Sequence, residues 1–233
     1  MGGIREIALD TETTGLNVQG GDRIIEIGCV EIIDNEITGN SYHSYINPEK
    51  ELDLAAQEIT GLTYEKLKQY PVFRDVVGVF LDFIGNDRLV IHNASFDVGF
   101  LNAEISGCGL DYRITYDRVV DTLLMARKKY PGSGASLDAL CRRFNINSDS
   151  RVKHGALIDS ELLAKVYVIM SVEVRQVNLF GGSEYESVPS VVEKYTYSNT
   201  TKIDRHLYDI TQDELNLHKR FIHESIRDAI WNR

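Results

Sequence analysis

The sequence predicts a mixed α/β sheet flanked by helices, on three observations. An apolar run from Ile4 to Leu9 ends in the carboxylate of Asp10 and reads as a central strand. Two β-rich segments, 23–33 and 41–46, are separated by the turn signal Asp34-Asn35, as in an antiparallel meander. Beyond them, helical and extended patterns alternate as far as Met170, which calls for a sheet covered by helices.

The elements follow in order. Residues 52–67 predict short helices, and 72–84 carry apolar side chains at helical spacing before a short strand at 88–92. Residues 96–105 read as a helix stopped by Gly107 and Gly109. A strand at 119–121 and helices at 123–129, 136–144 and 160–170 complete the series. After Met170 the pattern changes to a polar stretch beginning Gly181-Gly182-Ser183, which predicts a linker. Thr211 to Glu214 then fits a capping box ahead of the apolar positions Leu215, Phe221, Ile222, Ile226, Ile230 and Trp231, a terminal amphipathic helix.

A length of 233 residues suits one domain plus an appendage. The longest apolar run, 76–84, is broken by Asp82 and is too short to span a bilayer, so no membrane association is expected. Residues 1–10 show neither a secretory signal nor a lipidation pattern, which points to the cytoplasm. Cys29, Cys108 and Cys141 are odd in number and widely spaced, as expected of buried thiols in a reducing compartment rather than a zinc site. A net charge of −10 argues against a free-standing nucleic-acid binder, since phosphate neutralisation needs Lys and Arg. A protein tethered to its substrate by partners escapes that requirement.

Three strings carry chemistry: Asp10-Thr11-Glu12-Thr13-Thr14-Gly15, His92-Asn93-Ala94-Ser95-Phe96-Asp97, and His154-Gly155-Ala156-Leu157-Ile158-Asp159. Asp10 and Glu12 lie two apart at a strand end and can face one side of the sheet. Together with Asp97 and Asp159 they offer hard oxygen ligands suited to Mg2+ or Mn2+. Two such cations can activate a water against a phosphodiester. An imidazole can accept a proton from a metal-bound water, which makes His154 the candidate general base. Thr13 either bonds phosphate or satisfies the turn, and Phe96 either meets a base or joins the core.

These strings resemble the Exo I, Exo II and Exo III motifs of the 3′–5′ exonuclease superfamily with an Asp-Glu-Asp-Asp metal set, in its histidine-containing branch. Within that branch the chain most resembles the proofreading (epsilon) subunits of bacterial DNA polymerase III, well over residues 4–180 and more loosely beyond. The resemblance implies a ribonuclease H-like fold and two metal ions. The position of Asp10 bridges both. Glu12 and Asp159 complete the site of the ion that carries the attacking water, and Asp97 supports the second. Glu58, in the segment Glu58-Ile59-Thr60-Gly61-Leu62, is implied to meet the 3′ hydroxyl of the terminal nucleotide. Many relatives have histidine where this chain has Thr60.

The implied organisation is an exonuclease domain over 1–175, a sliding-clamp-binding peptide over 176–182 carried by Gln176, Leu179 and Phe180, a linker over 183–209, and a polymerase-binding helix over 210–233. The implied partners are single-stranded or frayed DNA 3′ ends, the polymerase III alpha subunit, the sliding clamp and a small third core subunit. A free-standing exoribonuclease of the same branch would share the metal set but has no use for such a tail. An inactive scaffold would have no need of the intact set Asp10, Glu12, Asp97, His154 and Asp159.

Overall fold

The computed structural model describes residues 3–148 and 153–179. All lie in the first of two compact units, Met1–Val192; the second, Glu193–Arg233, falls outside the described residues, and with it the expected linker and terminal helix.

Five strands form one sheet in the order β3-β2-β1-β4-β5. Strand β1 (Arg5–Thr13) pairs antiparallel with β2 (Ile24–Ile33), which pairs antiparallel with the edge strand β3 (Glu36–Tyr45). The β2–β3 hairpin turns on Asp34 and Asn35, both left-handed at φ 51° and 66°, the two-residue geometry that matches strand twist. On its other side β1 runs parallel to β4 (Arg88–Ile91), and β4 parallel to β5 (Val119–Asp121).

Between β3 and β4 come α1 (Leu54–Thr60), α2 (Tyr64–Leu67) and α3 (Phe73–Ile84). Helix α4 (Ala94–Gly107) links β4 to β5, and α5 (Thr122–Lys129), α6 (Leu137–Arg143) and α7 (Ala156–Leu179) follow. Every element expected within the described residues is present. β3 starts earlier than 41, because an edge strand paired on one side tolerates the mixed stretch 36–40, with Glu36, Thr38 and Asn40 beside Ile37 and Gly39. Helix α7 is longer than 160–170 at both ends, so its backbone runs past the expected domain limit of 175 and includes Gln176 and Leu179; Phe180 lies outside the described residues.

Alternation along β1 divides the core. Ile7 and Leu9 pack on one face with Phe73, Phe80, Val98 and Leu101 from α3 and α4. Ala8 faces the other side, with Leu140 of α6 and Leu163, Val166 and Met170 of α7. The same alternation sends Asp10 and Glu12 to the α7 face and Thr11 to the α4 face. Cys29 and Cys141 are buried, Cys108 is half-buried, and all three are free thiols. No helix among the described residues is long and apolar enough to cross a membrane.

Candidate active site

The site gathers where β1 and β4 end. Asp10 and Glu12 leave β1 opposite Gly28 and Glu26 of β2. At Gly28 a Cβ would lie 2.2 Å from the backbone of Ala156, so only glycine admits the first turn of α7 against the sheet. Ser160 fastens that approach by donating from Oγ to the Gly28 carbonyl at 2.8 Å. Asp159, in the same turn, is thereby buried beside the two β1 carboxylates. Ligand atoms of Glu12, His154 and Asp159 fall within 4.8 Å of one another. His154 Nδ1 is 3.1 Å from Asp159 Oδ2, which orients the ring.

Asp97 arrives from the opposite face, on the first turn of α4. Its Oδ1 accepts from the Thr11 backbone N–H at 3.0 Å and from Thr11 Oγ1 at 2.7 Å. Burial pushes its carboxyl up to about 7, against these Thr11 hydrogen bonds that favour the ionised form. A cleft of about 390 Å³ is lined by Asp10, Glu12, Phe96, Asp97, His154 and Asp159 together with His92 and the start of α6. Asp10, Glu12, Asp97 and Asp159, four of the five carboxylates that line the cleft, make a donor set suited to hard divalent cations, and the close Glu12–His154–Asp159 group adds a nitrogen donor to it.

The remaining sequence-derived residues are distributed as follows. Phe96 lines the cleft and also stacks on Phe100 at 4.9 Å between centroids, so it serves both site and core. Thr13 is buried and its Oγ1 donates to the Gly15 carbonyl at 2.6 Å, which fixes the turn after β1. Glu58 is exposed on α1 and is not part of the cleft lining; its carbonyl accepts from Lys153 beside the His154 loop. Gln176 and Leu179 lie on the far part of α7.

Known proteins bear on this arrangement in three ways. The family described as Exonuclease (RNase T) matches residues 7–167. DNA polymerase III subunit epsilon of Rickettsia felis is 40% identical over 241 residues, covering 98% of this chain and 100% of that one. Its counterpart in Haemophilus influenzae is 42% identical over 248 residues, covering 98% and 95%. The chain belongs to the DNA polymerase III epsilon family.

Among solved structures it resembles Exonuclease X in complex with 5′ overhanging duplex DNA, with a TM-score of 0.56, 26% identity and coverage of 77% of this chain and 94% of that one. The nuclease domain of 3′hExo bound to rAMP matches at a TM-score of 0.63 and 20% identity over 73% and 93%, a likeness of fold.

Further residues shape this epsilon-family site, and of these only His92 and Asn93 stand in the strings read from the sequence. Asp121 accepts from the Asn93 and Ala94 N–H groups at 3.3 and 3.0 Å and from Leu123 and Leu124 at 2.9 and 3.2 Å, capping α4 and α5 at once. The sequence signal for it was an Asp preceding a helical run, an N-cap pattern. Asn93, left-handed at φ 65°, makes the sharp turn from β4 into α4. Burial lowers the His92 imidazole from its ordinary value, and its Nδ1 is 2.9 Å from Thr122 Oγ1. Glu26, buried opposite Glu12, is bonded to His43 at 2.7 Å. Ser136, Leu137 and Asp138 wall the cleft from α6.

Proposed function

We propose that this 3′–5′ proofreading exonuclease removes nucleotides from single-stranded or frayed DNA 3′ ends by hydrolysis, with His154 as general base and Asp10, Glu12, Asp97 and Asp159 as the ligands of two divalent cations. The observation that carries the reading is the convergence of all five side chains on one cleft. Mg2+ or Mn2+ bound there would supply Lewis acidity to the phosphodiester and offset charge on the departing 3′ oxygen.

The chain's own groups do the rest. With the Nδ1 proton shared with Asp159, the imidazole carries its lone pair on Nε2 and accepts the proton of the attacking water there. Phe96 presents an aromatic face to the terminal base, and Thr13 holds the turn against which the terminal nucleotide seats. Glu58 on α1 meets the 3′ hydroxyl. None of these groups distinguishes one base from another, as an enzyme that must excise any of the four requires. Mispairs are chosen by fraying, since a mismatched end unpairs at lower cost. The product is a 5′ nucleoside monophosphate.

Residues 176–182 dock on the sliding clamp through Gln176, Leu179 and Phe180, and 210–233 bind the polymerase alpha subunit, beside a third core subunit, in the cytoplasm. The sequence of the tail supports this over a free-standing exoribonuclease. The test is stepwise shortening of matched 5′-labelled DNA and RNA oligonucleotides in Mg2+. DNA should be degraded far faster than RNA, and Asp10→Ala should abolish cleavage in a protein that still folds. Preference for RNA, or full activity in that variant, would sink the assignment.

A further inference from the structure

We propose that Lys153 is a positioning residue that pins the loop carrying His154 to the C-terminal end of α1. The inference rests on the reading of His154 as the base. Two hydrogen bonds make the junction: the His154 backbone N–H donates to the Ile59 carbonyl at 3.2 Å, and Lys153 Nζ donates to the Glu58 carbonyl. The aliphatic stem of Lys153 lies over Gly61, the left-handed residue that ends α1 at φ 72°; a Cβ there would be 3.5 Å from Lys153 Cγ. The last carbonyls of a helix lack partners within it and carry partial negative charge, so an ammonium group is well matched to this place.

The other end of α1 is tied to the metal-ligand strand. The Asp53 N–H donates to the Thr14 carbonyl at 2.9 Å, two residues after Glu12. Helix α1 therefore spans from the turn after Asp10 and Glu12 to the loop holding the imidazole, a strut of seven residues. That matters because the His154 side chain is 45% exposed and leaves a loop, not a strand or helix. A half-exposed imidazole on a short loop keeps its geometry only if the backbone beneath it is anchored, and small displacements of a reacting group are costly.

The experiment compares Lys153→Met, Lys153→Arg and His154→Ala in the full chain. Lys153→Met should lower kcat on single-stranded DNA about tenfold at unchanged KM. It should leave the melting temperature unchanged and speed amide hydrogen exchange at His154. Lys153→Arg should restore most of kcat, because a guanidinium reaches the same carbonyl. A raised KM at unchanged kcat would assign Lys153 to substrate phosphate and overturn the positioning role. Unchanged kcat, KM and exchange would overturn it outright. Inactivity of His154→Ala beside a normal Lys153→Met condemns this inference alone, whereas full activity of His154→Ala condemns the base assignment itself.

Discussion

Asp97 is 3% exposed, and its carboxyl stands at about 7 rather than the ordinary 3.8 because burial disfavours its charged form. A raised carboxyl makes the folded state hold a proton that the unfolded chain has released. The stability this confers is fully present below pH 3.8 and is lost as pH rises through the folded value near 7. The metal-free protein should therefore show a melting temperature that declines between about pH 4 and 7 by an amount Asp97→Asn removes, since an amide accepts the two Thr11 bonds and does not titrate. Paired thermal melts of both proteins across that range read the difference; parallel curves would refute the shifted carboxyl.

At the scale of elements, the site depends on how closely α7 approaches β2 and how firmly α4 and α5 are held at their starts. Gly28→Ala sets a Cβ 2.2 Å from the Ala156 backbone, which cannot rotate away, so α7 must shift and carry Asp159 with it. We expect a lower melting temperature and lost cleavage. Gly78→Ala, on α3 with nothing within 4 Å of the added Cβ, should be neutral or stabilise by up to about 1 kcal/mol; equal losses in the two variants, followed by melts and by cleavage assays, would refute the close-approach argument. Asp121→Ala removes the acceptor for four backbone N–H groups at two helix starts and should cost about 1–2 kcal/mol, with reduced cleavage as Asp97 loosens. A denaturant titration that leaves stability unchanged would show the caps to be dispensable. The contrast explains what was legible in the sequence. Asp10, Glu12, Asp97, His154 and Asp159 each sit in a short local string next to a recognisable strand or helix boundary, and all five converge. Gly28, Glu26 and the α6 wall act across space on residues far along the chain, as Asp121 does in its bonds to Asn93 and Ala94, and a single glycine within an apolar strand gives no sign of which helix will press on it. The same holds for β3, whose residues 36–40 lack alternation and are extended through pairing with β2.

The whole molecule carries a net charge of −10, and a cleft built from carboxylates repels a polyanionic substrate until cations fill it. Such a chain gains little from diffusive encounter with DNA and much from being held at a primer end, where a linker converts binding into an intramolecular event. In the proposed reading the residues for that tether are those that follow the exonuclease domain. Thr211 to Glu214 opens an amphipathic pattern that ends in Ile230 and Trp231, an apolar stripe of the kind that anchors protein interfaces. The pattern predicts a separation of function. Removing residues 183–233 should leave hydrolysis of a single-stranded oligonucleotide by the isolated protein unchanged, since none of the cleft residues is lost. The same truncation should abolish co-elution with the polymerase alpha subunit and, with it, the stimulation of excision at a mispaired primer end. A truncated chain that still co-elutes would move the partner surface onto the catalytic unit, where exposed Leu124 and Val79 would be the next residues to replace.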